Sequence, residues 1–254
     1  MTLFSLMSPQ DLYLAFLVAF VAGWIKGMVG FAMPMVLISG LSIMLPPDLA
    51  LAGLILPTLV TNGVQALREG PVAALSSIRR FRVFLSIGLL CLLVSAQLVS
   101  AMSPQALLLM IGLPVSFFAL IQLLGVKLVL QNPSLRIEAL IGGLAGFVGG
   151  FSGVWGPPTV SYLTALNTPK AEQMRIQGVI YGLGAVALVV AHLGSGILRT
   201  ETALFSATLV PPAIAGMMCG LAVQTRIDQT QFRKLTLLVL LIAGLNLLRR
   251  ALLG

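Results

Sequence analysis

A glycine-rich motif that ends in proline occurs twice in this chain, and it limits what the chain can fold into more than any other feature. Gly23-Trp24-Ile25-Lys26-Gly27-Met28-Val29-Gly30 runs on to Pro34, and Gly146-Phe147-Val148-Gly149-Gly150-Phe151-Ser152-Gly153 runs on to Pro157. Glycine matches glycine and proline matches proline at an offset of 123 residues, the difference between positions 146 and 23. Both copies lie inside long apolar sequence, and a helix there has two matched places to open. Duplicated breaks of this kind belong to membrane transporters built from internal repeats.

Charged residues make up 9% of the chain and mean hydropathy is +1.06, whereas an ordinary soluble domain carries roughly a quarter charged residues. So few charges cannot cover a soluble surface of 254 residues. Apolar stretches at 83–102, 105–125, 176–193, 203–223 and 232–248 approach or exceed the ~20 residues of a membrane-spanning helix. The expected class is an all-α polytopic membrane protein. A β-barrel is disfavoured because no stretch alternates with period two.

The order of events repeats. Residues 1–125 and 137–254 each start with an apolar run broken by the motif, continue through a proline turn (Pro46-Pro47, then Thr168-Pro169), and end with three more apolar helices. Residues 126–136, containing Asn132-Pro133, read as the linker. The expectation is two homologous repeats with eight apolar units, the first of each half a broken pair of short helices. Continuous helix from Leu12 to Leu45 would measure about 50 Å against ~30 Å of hydrocarbon. The break is therefore either a re-entrant hairpin or two tilted crossings.

Loop charges favour the hairpin. The net charge of +8 lies between the apolar runs, which fits the positive-inside bias of cytoplasmic loops rather than nucleic-acid binding. With two single crossings, the Lys and Arg residues other than Lys26 divide nine to five. With two hairpins they divide eleven to three and the halves become inverted, leaving Arg249 and Arg250 on the poorer side. The densest cluster, Arg79 to Arg82, reads as a topology or lipid contact. No basic segment precedes the first apolar run, so a cleaved signal is not expected.

All seven carboxylates fall at predicted segment ends, and the lone Cys91 and Cys219 have no metal-ligand spacing and read as packing residues. No cofactor, metal site or enzymatic centre is expected. The clear internal charge is Lys26, about 20 Å along the first helix, which either faces a cavity or snorkels to an interface. Thr58, Asn62 and Gln65 share a helix face, and Gln177, Tyr181 and Gly184 repeat that spacing. Such stripes either line a path or bond neighbouring helices. His192 extends the second stripe as a candidate proton carrier or a satisfied helix-end group. Arg175 either draws an anion or pairs with Glu172. Trp155 either lines the cavity or packs at the break. Half-helix N-termini near Gly30 and near Gly153, with Ser152 beside the second, form candidate anion sites.

Lys26-Gly27-Met28-Val29-Gly30-Phe31 with Pro34, and Gly150-Phe151-Ser152-Gly153-Val154-Trp155-Gly156-Pro157-Pro158, resemble the motifs of the sulfite exporter TauE/SafE family of anion permeases (TSUP). Arg175 matches a basic residue common there. One departure is Ala32, where such members often carry glycine. The resemblance spans essentially the whole chain. It implies export or uptake of small anions (sulfite, sulfonates or carboxylates) across an inner membrane, with lipid as the other partner. The expectation is a secondary transporter working by alternating access, proton coupling left open. A passive anion channel is the runner-up, and a membrane-embedded enzyme or scaffold stands further off.

Overall fold

The structure is a computed structural model, and it describes residues 7–98, 103–126, 130, 134–152, 155–166, 168–224, 226 and 228–253. Among these the chain is all-α. Its helices are α1 (Pro9–Val29), α2 (Met33–Leu41), α3 (Pro47–Leu67), α4 (Pro71–Arg80), α5 (Arg82–Leu98) and α6 (Pro104–Leu123), followed by α7 (Leu135–Ser152), α8 (Gly156–Ala165), α9 (Lys170–Gly194), α10 (Thr200–Thr208), α11 (Val210–Gln224) and α12 (Gln229–Leu253). The helices Pro9–Val29, Pro47–Leu67, Glu172–Gly194 and the combined Thr200–Gln224 are each long and apolar enough to cross a bilayer.

The break in the first unit falls at Gly30, which adopts φ 83° and returns its N–H to the carbonyl of Lys26. Only glycine takes that left-handed conformation without steric cost. The sequence predicts two short helices, but α1 runs 21 residues and only α2, at nine, is short. Gly23 and Gly27 do not open the helix. They instead let α1 meet α11 backbone to backbone, since a methyl group on either would fall on the carbonyl oxygen of Ala213 or Met217. Gly216 and Gly220 on α11 return the favour against Phe20 and Trp24. On α7, Gly142, Gly146 and Gly150 do the same against Phe84, Gly88 and Leu92 of α5. In lipid, where the hydrophobic effect does not drive helices together, such small-residue seams provide the packing.

Two helix hairpins result. Gly40 at the end of α2 packs on Val18, halfway back along α1, so α2 retraces α1. The carbonyl of Ala165 at the end of α8 accepts the N–H of Leu130, before α7 begins, so α8 retraces α7. Contacts between the halves are reciprocal: α1 packs on α11 and α7 on α5, while α3 packs on α9 and α6 on α12. In the first two pairs the contacting residue numbers rise together, so those helices are parallel; α3 and α9 run antiparallel, with Gly178 against Ala66 and Gly182 against Asn62.

Three sequence expectations change here. A short helix, α4, precedes α5 and meets it at 81°. The stretch 203–223 keeps its expected span within Thr200–Gln224 but gains a local irregularity at Leu209, where Pro211 and Pro212 supply no N–H groups to continue the ladder. Cys219 is exposed rather than packed. The described acidic residues sit at helix ends, with Asp11, Asp48, Glu138, Glu172 and Glu201 in first turns.

Candidate functional site

Lys26 is 2% exposed and is the one Lys or Arg side chain in the buried set among the described residues. It does not snorkel. Its Nζ donates to Asn62 Oδ1 on α3, and among the described residues no carboxylate reaches it. An ammonium carries three donors, so two remain for another acceptor. Withdrawing such a group from water is costly unless a counter-charge or further hydrogen bonds compensate.

The space beside Lys26 is a small cavity of about 10 Å³, room for about one water molecule. Phe31, Ala32 and Pro34 enter it from the first break, Trp155 and Gly156 from the second, and Asn62 and Tyr181 from the facing helices. Two motifs that stand 123 residues apart in the sequence thus share one chamber. The N-termini of α2 and α8 both lie at its wall and bring partial positive charge. Pro34, Pro157 and Pro158 carry no N–H, however, and the Met33 N–H is bonded to the Phe31 carbonyl. Ala32 is the sole non-glycine residue with positive φ among the described residues, at 67°.

On the other side of Lys26 opens a vestibule of about 750 Å³. Lys26, Gly27 and Gln65 form part of its floor, Arg68, Glu69 and Arg175 its rim, and Met174, Met217 and Met218 much of its apolar wall. Gly30 faces Met174 Sδ and Gln177 Oε1, so a side chain in its place would strike both. Gln65 Nε2 donates to the Met174 carbonyl at 2.9 Å, which ties α3 to α9 at the vestibule that both residues line.

Several expected residues therefore converge. Lys26, Asn62, Trp155 and Tyr181 line the chamber, and Lys26, Gly27, Gln65 and Arg175 line the vestibule. Gln177 is 1% exposed with Oε1 unpartnered, and Thr58 Oγ1 is likewise unpartnered. Tyr181 Oη donates to the Gly156 carbonyl at 3.3 Å and so tethers the second break. Trp155 packs on Gly149 and Gly184 and also edges the chamber, which unites both of its expected roles. Gly153 lies outside the described residues, as does the side chain of Ser152.

Arg175 pairs not with Glu172, one turn back on its own helix, but with Glu69 from the other half. Its Nε also donates to Ser77 Oγ at 3.1 Å. His192 is fully buried, with Nδ1 3.1 Å from Ser195 Oγ and Nε2 unpartnered, and it lines neither cavity. It sits about 16 Å along α9 from Tyr181. The methionine wall and Glu69 were not foreseen. Glu69 reads in sequence as an ordinary helix-end carboxylate, and the methionines as ordinary apolar residues.

The family model described as sulfite exporter TauE/SafE matches residues 15–247. No curated protein matches the chain significantly, nor does any solved structure. The match spans nearly the whole chain, both glycine breaks included, and the chain belongs to the sulfite exporter TauE/SafE family of membrane transporters.

Proposed function

We propose that this chain is a secondary transporter of small anions such as sulfite, sulfonates or carboxylates in a bacterial-type inner membrane. The observation that carries the reading is Lys26: a buried cation without a carboxylate partner among the described residues, set between a large vestibule and a one-water chamber. An anion in the chamber would supply the missing counter-charge, and the positive ends of the α2 and α8 dipoles would favour it there. Asn62 orients the ammonium. Gln65 and Gln177 offer amides along the approach, and Tyr181 and Trp155 shape the far wall. Gly27 and Gly30 let neighbouring helices close around the path. Ser152 and Gly153 belong to the second break by their place in the motif. Arg68, beside the Arg175–Glu69 ion pair, leaves the rim net positive toward an approaching anion.

The two halves, 1–125 and 137–254 joined by 126–136, act in this reading as inverted repeats. The reciprocal pairing of α1 with α11 and of α7 with α5, and the two retracing hairpins, support it. Rocking one repeat against the other would move access from the vestibule to the opposite side of Lys26. Proton coupling stays open in this reading: His192 is the candidate carrier by residue type, and it would act at a distance, since it lines neither cavity.

Uptake of labelled sulfite, a sulfonate and a simple carboxylate into proteoliposomes, with and without a pH gradient, tests the proposal. Saturable flux of one anion is expected, where a channel would not saturate. Lys26→Ala should lower that flux by more than about tenfold, a loss of 1.4 kcal/mol or more, in protein that purifies and folds as wild type does. Undiminished flux in Lys26→Ala would remove the assigned role.

A further inference from the structure

The helix α4 and the first residue of α5 carry Arg79, Arg80 and Arg82, all exposed. Among the described residues no carboxylate forms an ion pair with any of the three, and α4 contains no acidic residue. Their charge is thus left open to an anion from outside the chain. The geometry narrows what it is. Because α4 meets α5 at 81°, a membrane-crossing α5 leaves α4 lying nearly in the plane of the bilayer surface. Phe81, 2% exposed, anchors the corner, and the Arg80 guanidinium stands 5.5 Å from its ring centroid.

The two sides of α4 differ. Ala74 and Ser77 are buried, and Ser77 Oγ accepts from Arg175 Nε, which fixes the rotation of the helix about its axis. With that side pinned, Val72 (82% exposed) and Leu75 (46% exposed) face outward. They stand at i and i+3 to Arg79 at i+7, one helical stripe. Apolar residues followed by arginines on the outer side of a surface-lying helix fit the boundary between acyl chains and headgroups.

We propose that α4 with Arg82 forms a binding site for an anionic phospholipid headgroup, joined to the vestibule residue Arg175 through Ser77. Arg79, Arg80 and Arg82 take the phosphate through charge-assisted hydrogen bonds, and Val72 and Leu75 rest against the acyl chains. Glu138 accepts the N–H of Phe84 at 3.0 Å, which brings the exposed Arg136 of the same helix turn toward the start of α5 together with this one carboxylate, so the patch stays net positive. The site requires membrane embedding but not the anion-transport reading, so binding measured without transport keeps the two separable.

The test is native mass spectrometry of the full-length protein in detergent, titrated with phosphatidylglycerol and, separately, with phosphatidylcholine. Wild type is expected to retain phosphatidylglycerol in preference. Arg79→Gln, Arg80→Gln and Arg82→Gln, taken singly, should each weaken that preference by roughly fivefold, and together they should abolish it. Replacing all three by lysine should keep most of it. A control with Arg226→Gln and Arg249→Gln, outside α4, should leave it intact. Equal binding of both lipids by wild type would overturn the site. So would an unchanged preference in the glutamine variants, or an equal loss in the control.

Discussion

At the scale of single residues, Ala32 shows how a break can hold strain. It sits at φ 67° between Gly30 and Pro34, where an L side chain crowds its own backbone at a cost of about 1–2 kcal/mol. Glycine would relieve that crowding while adding freedom to the unfolded chain, worth roughly 0.5–1 kcal/mol in the other direction. Ala32→Gly is expected to stabilise the protein by up to about 1 kcal/mol, read as a higher midpoint of thermal unfolding in detergent; a lower midpoint would contradict the strain. Ala32 also borders the chamber, so the same variant reports whether a looser hinge alters flux. Asn62 supplies the neighbouring case. Asn62→Leu keeps the number and branching of side-chain heavy atoms but removes the one acceptor that Lys26 has among the described residues. An unsatisfied buried charge of this kind typically costs several kcal/mol. The variant is expected to be less stable than wild type by about 2–4 kcal/mol, with lost transport, as measured by unfolding and uptake on one preparation.

At the scale of helices, the glycine seams carry the assembly. Gly146 faces the Gly88 carbonyl, where even a methyl group has no room. Gly146→Leu must therefore push α7 off α5, with an overpacking cost of about 1–3 kcal/mol or more. The expected result is a protein that inserts but unfolds at lower temperature or aggregates on extraction. By contrast, Gly63 has nothing within 4 Å of an added Cβ, and Gly63→Ala should behave as wild type; equal damage from both substitutions would refute the seam. The glycines were legible in the sequence, but their task was not. Gly23, Gly27 and Gly30 look alike along the chain, yet only Gly30 bends it. The other two face α11, and no local pattern identifies which helix arrives there.

At the scale of the molecule, the vestibule and the chamber meet at Lys26, and access differs on the two sides. Met218 is 58% exposed on the vestibule wall, whereas Tyr181 is 3% exposed at the chamber. With Cys91 and Cys219 first replaced by serine, Met218→Cys should react with a membrane-impermeant thiol reagent applied from the side of Arg68 and Glu69. Tyr181→Cys should resist that reagent from the same side, and substrate should change its labelling if access alternates. Rapid labelling of Tyr181→Cys in the absence of substrate would mean that the chamber is not closed off from the vestibule.

Much of this was determined by the chain alone. A low charge content and long apolar runs demand lipid around helices, and two glycine–proline breaks demand two irregular places within them. Polar stripes on Asn62 and Gln65, and on Gln177 and Tyr181, follow from helical spacing, which is local. The tertiary structure decided what touches what. It gave Lys26 the amide of Asn62 for a partner, gave Arg175 a carboxylate from the other half in place of Glu172, and set His192 apart from both cavities. It also brought Phe31 and Trp155 to one chamber. The reason is physical: periodicity fixes the face of a helix, but which helix fills that face depends on backbone approach and volume summed over residues far apart in sequence.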